Sequence, residues 1–288
     1  MQYTINANGR LIDLSTPQVM GIVNITPDSF YAGSRKQTER EIAERTNAIV
    51  AEGGSMIDIG GFSTRPGAPE VSEAEEMERL RRGLQIVRRE QPDAVVSVDT
   101  FRPDVARMAV EEYGADIIND VSEGGLTGVV DRPLDESLQG KGGVPPIFSM
   151  VARLGVPYIL MSVKPTVETM LTAFAGEVQQ LRDLGVKDII LDPGFGFGKT
   201  LEQNYRLLSN MSRLLSLDLP LLVGVSRKSM IFKLLGTDPS GSLNGTTVVH
   251  TMSLLQGASI LRVHDVKEAV ETVKIVNYDM LSQQQLNQ

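Results

Sequence analysis

Short apolar runs rich in Val and Ile recur along the chain. They are GIVNIT from Gly21, MIDIGG from Met56, VVSVDT from Val95 and DIINDV from Asp116. YILMS from Tyr158, DIILDPG from Asp188, LLVGVS from Leu221 and SILRVHD from Ser259 follow. Their length and their flanking Gly and Pro predict strands buried on both faces, as parallel sheets require. Between them lie amphipathic stretches with helical spacing: Arg40 to Ala51, Ala74 to Val87, Pro103 to Glu112 and Val167 to Leu184. Glu202 to Leu215, Thr246 to Gln256 and Val266 to Val276 complete the series. This alternation predicts an α/β fold with a parallel sheet. Eight strand units point to a closed (β/α)8 TIM barrel, with an open doubly wound sheet as the alternative.

Two segments break the rhythm. Tyr3 to Leu14 alternates around Asn8-Gly9, which predicts a tight hairpin covering the bottom of the barrel. Gly124 to Pro146 is rich in Gly and Pro and reads as a long irregular loop. The domain expectation is one barrel over residues 1–288, with residues 1–19 as a hairpin extension and 277–288 as a polar, fraying tail.

Composition narrows the chemistry. The chain has 288 residues, a length that a single α/β barrel of roughly 250 residues accommodates. It has no Cys and two His, which excludes a thiolate nucleophile, a disulfide framework and a three-histidine metal site. The net charge of −8 disfavours a nucleic-acid partner. No stretch reaches the roughly 18 to 20 apolar residues that cross a bilayer, and no signal peptide is legible, so a cytoplasmic location is expected.

Most strand ends are polar. The first ends at Asn24, Thr26 and Asp28, the second at Asp58, the third at Asp99, the fourth at Asn119 and Asp120. The sixth ends at Asp192, the seventh at Ser226-Arg227-Lys228, the eighth at Arg262, His264 and Asp265. Any one of these can be a helix cap. Together, in a barrel, they converge on the C-terminal face, where active sites sit. Asp58 reads as structural, because Gly60 and Gly61 carry the chain away from it. Asp99, Asn119 and Asp192 form an acceptor-rich set; Arg65, Lys228, Arg262 and His264 form a donor-rich set. The two sets fit a heterocycle bearing amino groups with a phosphate tail. DPGFGFGKT satisfies neither the Walker A spacing nor the dinucleotide fingerprint, and reads as a turn that leaves Phe195 and Phe197 free to meet a ligand. His250 reads as packing or solvated.

GIVNITPDSF, GGFSTRPGA, SVDTFRP, INDVS, DPGFGFGK, GVSRKS and RVHDV, in this order, resemble the dihydropteroate synthase family. The resemblance runs from Gly21 to Val276. It implies a homodimeric (β/α)8 barrel that uses Mg2+. The reaction would join 6-hydroxymethyl-7,8-dihydropterin pyrophosphate to 4-aminobenzoate, with release of pyrophosphate. By motif, Asp99, Asn119, Asp192 and Lys228 would hold the pterin. Asn24, Thr64, Arg65, Arg262 and His264 would meet the pyrophosphate, with Asn24 also on Mg2+. Thr64, Pro66, Phe197 and Ser226 would line the aminobenzoate site, and Asp99, Lys228, Arg262, His264 and Arg65 would carry the catalysis. Three departures from the family stand out: Phe62 where Glu is common, Ser162 where His is common, and the longer loop after the fourth strand. A methyltetrahydrofolate–corrinoid methyltransferase-like barrel and a non-catalytic pterin-binding protein remain the alternatives.

Overall fold

A computed structural model describes residues 3–25, 35–62, 71–125 and 143–286. The eight predicted strand segments are all strands, and they close a barrel. In chain order they are β3 (Gln18–Asn24), β4 (Met56–Gly60), β5 (Val95–Asp99), β6 (Ile117–Asp120), β7 (Tyr158–Met161), β8 (Ile189–Asp192), β9 (Leu221–Val223) and β10 (Ala258–Val263). Each lies parallel to its neighbours, and β10 returns to pair with β3. The open doubly wound alternative is thereby excluded. The predicted hairpin is β1 (Thr4–Ala7) with β2 (Arg10–Asp13). Asn8 and Gly9 both have positive φ at its tip, as a type I′ turn requires.

The strands' two-residue period builds two cores. Outward residues such as Ile57, Ile59, Val96 and Val98 pack with the helices in one large cluster. Inward residues Met20, Met56, Ile117, Ile159, Ile190, Leu222 and Ile260 form a second cluster inside the barrel. Ile5 and Leu14 of the hairpin segment join this inner cluster, so the hairpin does seal the barrel's N-terminal end. Two residues further along these seven strand segments, the inward positions are Ile22, Asp58, Asn119, Met161, Asp192, Gly224 and Arg262. The barrel interior thus passes from an apolar floor to a polar mouth within one alternation.

The helices are α1 (Arg35–Ala51), α2 (Glu73–Glu90), α3 (Pro103–Tyr113), α4 (Pro146–Leu154), α5 (Val167–Asp183), α6 (Leu201–Asn210), α7 (Ser229–Phe232), α8 (Leu243–Leu255) and α9 (Val266–Leu286). Their starts follow local chemistry. Ser72 caps α2 by accepting from the Glu75 N–H, and Thr166 and Thr200 close capping boxes on α5 and α6. Pro103 opens α3, and Gly114 ends it in the left-handed region.

The helices differ from the sequence reading at several points: α1 starts at Arg35 rather than Arg40, and the short α7 was not foreseen. Helix α4 follows directly on the Gly/Pro-rich stretch, and no periodic signal announces it. The stretch Glu202 to Leu215 divides into α6 and a 3-10 segment, Met211–Leu217. The last helix continues through residues 277–286, where a polar tail was expected. Residues 126–142 of the long loop lie outside the described residues.

Candidate active site

The polar mouth is assembled from strand ends and the turns that follow them. Asp99 and Asn119 are register partners on β5 and β6, so their side chains share the barrel interior. Asp58 lies one inward step deeper on β4, opposite Ser97. Arg262 reaches across from β10. Its Nε donates to Asp58 Oδ2 at 2.6 Å and its Nη2 to Asp99 Oδ2 at 2.9 Å. Asn119 Nδ2 donates to the same Asp58 oxygen at 3.2 Å. The donor and acceptor sets are therefore interlocked rather than separated, because barrel closure sets β10 across from β4 and β5.

Asp58, Asp99 and Asn119 are all buried. On each, Oδ1 has no hydrogen-bond partner among the described residues. A buried acceptor left without a donor costs about 1 to 3 kcal/mol. Three in one mouth mark a surface built for a ligand edge rich in N–H groups. Burial pushes the Asp99 carboxyl well above the usual carboxylate range, against the pull of Arg262. The Asp192 carboxyl is also raised by burial, with Lys228 opposing. Burial works against the Arg262 charge, yet Asp58 and Asp99 outweigh it and push its pKa up.

The opposite wall is the turn after β8. Asp192 Oδ1 accepts from the Gly194 N–H at 2.8 Å. Gly194 has φ +65, and a Cβ there would lie 2.1 Å from the Ser162 carbonyl oxygen, so no other residue fits. Gly196 has φ +78, and a Cβ would lie 2.9 Å from the Lys228 side chain. Lys228 donates to the Phe195 carbonyl, and its ammonium stands 4.3 Å from the Phe197 ring centre. Burial lowers the Lys228 ammonium to about 7, with Asp192 opposing. Phe195 is buried in the outer core, whereas Phe197 is half-buried.

Sequence reasoning passed over Lys199, whose Nζ donates to the carbonyls of Ser162, Gly194 and Phe197 at 3.3, 2.9 and 3.2 Å. This three-way grip shapes the turn. Its only sequence signal was the Lys that made the motif look like Walker A. Asp58 is the other omission. Expected to be structural, it sits at the centre of the mouth. The signal was available, because Met56, Asp58 and Gly60 share one face of β4.

Other expectations resolve individually. Asp120 is a cap: it accepts from the Ser122 and Gly124 N–H groups at 2.7 and 2.9 Å and from the Tyr158 hydroxyl. Ser226 accepts from the His264 N–H at 3.1 Å and so ties the ends of β9 and β10 together. Arg227, in the left-handed region, forms a bidentate pair with Asp265 at 2.8 Å and faces away from Lys228's partners. The carbonyl of His264 accepts from Arg45 Nη2 at 2.7 Å. His250 is packed, and burial lowers its imidazole to about 4. Ser162 donates to Glu123 Oε1 at 3.0 Å, and Glu123 pairs with Lys164 at 3.4 Å. Phe62 stacks edge-to-face on Phe101. Thr26, Asp28, Thr64, Arg65 and Pro66 lie outside the described residues.

Asn24 is exposed at the mouth end of β3. Among the described residues no three His, Cys, Asp or Glu side chains converge as a metal site. A single carboxamide oxygen is compatible with Mg2+, which keeps several waters and leans on substrate phosphates.

A closed parallel barrel with a polar C-terminal mouth, unpartnered acceptors on one side and two half-buried cations within it, defines a small-molecule binding enzyme of the pterin-recognising type. The family described as "Pterin binding enzyme" matches residues 20–264. Dihydropteroate synthase of Escherichia coli K12 is 38% identical over 285 residues, 94% of each chain. The Synechocystis enzyme of that name is 38% identical over 275 residues, covering 90% of this chain and 89% of its own. Xanthomonas albilineans dihydropteroate synthase with 4-aminobenzoic acid superposes with a TM-score of 0.84 at 33% identity, covering 97% of this chain and 99% of that one. The same enzyme in complex with 7,8-dihydropteroate gives 0.80 at 31% identity, covering 96% and 99%. The chain belongs to the dihydropteroate synthase family of pterin binding enzymes.

Proposed function

We propose that this chain condenses 6-hydroxymethyl-7,8-dihydropterin pyrophosphate with 4-aminobenzoate, giving 7,8-dihydropteroate and pyrophosphate. The observation that carries the reading is the set of unpartnered acceptors at Asp99 and Asn119 beside Arg262. A pterin's amino-pyrimidinone edge supplies the N–H donors these atoms lack. Asp192 and Lys228 complete the ring site, with Lys228 as a donor poised near neutrality. The C–O bond to pyrophosphate breaks first, leaving a delocalised cation on the pterinylmethyl group. Asp99 and Asp192 stabilise that positive charge, and Arg262, His264 and Arg65 the departing anion. The amine of 4-aminobenzoate then forms the new C–N bond beside Phe197, Ser226, Thr64 and Pro66. The nitrogen becomes acidic as it bonds and gives its proton to water or the released pyrophosphate, so no strong base is needed. Mg2+, held through Asn24 and the pyrophosphate, would add charge neutralisation on the leaving group.

An exposed apolar stripe supports a homodimer. Val248, Met252 and Leu255 line one side of α8, with Ile275 and Tyr278 on the adjoining α9. Exposed apolar residues on two adjoining helices of a barrel's rim suit a second copy of the chain. No helix among the described residues is long and apolar enough to cross a membrane. We infer a cytoplasmic location and expect no nucleic-acid partner.

The test is pyrophosphate release in a coupled assay with both substrates. Release that depends on 4-aminobenzoate is expected. A protein that binds pterin but releases nothing would be the non-catalytic alternative, and methyl transfer to a corrinoid would point to the other enzyme class.

A further inference from the structure

Strand β4 supplies no ligand to the reading above. Its Asp58 is nonetheless where the pterin side and the leaving-group side of the mouth meet. The side chain is fully buried, with inward-facing neighbours on both sides. A single oxygen, Oδ2, accepts from Asn119 on β6 and from Arg262 on β10. Burying a carboxylate is costly unless such donors hold it.

The geometry has a consequence for each donor. A carboxamide has a donor end and an acceptor end, and its neighbours decide which way each points. Asp58 can only accept, so it claims Nδ2 of Asn119. Oδ1 is left as a buried acceptor with no donor among the described residues. Arg262 spends Nε on Asp58 and Nη2 on Asp99, which fixes the plane of its guanidinium. Its Nη1 has no partner among the described residues and remains for an anion.

We propose that Asp58 is a positioning residue: it orients the Asn119 carboxamide with its acceptor toward the pterin and holds Arg262 by its Nε edge. One buried oxygen thereby couples ring recognition to the leaving-group cation. The inference rests on the pterin reading above.

The experiment measures binding of 6-hydroxymethylpterin, which carries no phosphate, by calorimetry. Asp58→Asn replaces an acceptor-only group with one that also donates. Its amino group either stands among the acceptors or donates to Asn119 and turns that carboxamide over. Both put an N–H where the ligand's own N–H edge must be met. Affinity should fall at least fivefold. The reciprocal swap, Asp58→Asn with Asn119→Asp, restores an amide donating to a carboxylate, with the second carboxylate oxygen left for the ligand. It should bind within fivefold of wild type. A role confined to packing would not produce this rescue. Thermal melting tests the fold of each variant. If Asp58→Asn does not melt cooperatively, the swap decides alone. A smaller loss in the single variant, or a swap that fails to fold or to bind, overturns the proposal. Wild-type protein that binds no pterin would instead remove the reading on which it rests.

Discussion

At the scale of single residues, burial decides which groups are sensitive to pH and which to substitution. Asp192 has one oxygen on the Gly194 N–H, and Lys228 opposes the upward pull of burial on its carboxyl; under the proposed function its charge serves the pterin. Asp192→Asn preserves shape and removes that charge. The loss of a charge-assisted hydrogen bond, roughly 1.5 to 3 kcal/mol, predicts about ten- to hundredfold weaker pterin binding by calorimetry. Unchanged affinity in a folded variant would remove Asp192 from the site. His250 offers a pH readout away from the chemistry. Its folded pKa of about 4 lies below the ordinary imidazole value, so the unfolded chain binds the extra proton between pH 4 and about 6.5. Stability conferred by the neutral imidazole is therefore complete above about pH 6.5 and is lost as pH falls toward 4. The cost approaches about 3 kcal/mol. His250→Gln should flatten that acid limb in denaturant titrations; an unchanged slope would show that the imidazole does not titrate there.

At the scale of elements, α2 and the residue before α3 hold the backbone on either side of residues 63–70. Arg79 Nη1 donates to the Gly61 carbonyl at 2.9 Å, and Arg102 Nη2, from the start of α3, donates to the Val71 carbonyl at 2.7 Å. Arg102 also pairs with Glu76, whose side chain is fully buried. Breaking such a pair from one side leaves an uncompensated buried carboxylate, at a cost of about 3 to 5 kcal/mol. Arg102→Met should therefore lower stability by several kcal/mol. Adding Glu76→Gln to it should recover part of the loss in a double-mutant cycle, and strict additivity would contradict the pairing.

These elements were unequally legible beforehand. The barrel strands were readable because buried parallel strands are near-continuous apolar runs. Helix α4 was not, since its proline start merges with a Gly/Pro-rich stretch and its nine residues hold too few turns for a period to emerge. Within the site, Asp99, Asn119, Asp192 and Arg262 announced themselves as polar strand ends. Asp58 was read as structural from the glycines after it, and the alternation running through Met56 and Gly60 also turns it inward, where Arg262 and Asn119 hold it. Lys199 works through backbone carbonyls, for which side-chain patterns carry no sign.

At the scale of the whole molecule, the exposed stripe on α8 and α9 makes the oligomeric state testable. Val248 and Leu255 are 52% and 58% exposed, and Tyr278 is 77% exposed. A Val248→Glu, Leu255→Glu double variant should sediment at half the wild-type mass while its melting temperature changes little, because neither side chain belongs to the core. A wild-type protein that already sediments as a monomer would dispose of the dimer.

The pairing of β10 with β3 also governs how the molecule comes into being. Leu261 finds Val19, so the barrel's first strand waits for its last. Contacts this distant in sequence form late and slowly. During synthesis Asp58 and Asp99 emerge long before Arg262, and each must stay hydrated until that cation arrives. The arginine then closes the barrel and the catalytic mouth together. A nascent chain cut short before β10 would carry Asp58, Asp99, Asn119 and Asp192 and none of the Arg262 clasp that ties Asp58 to Asp99. Competence therefore arrives in one step, once β10 is available to pair with β3.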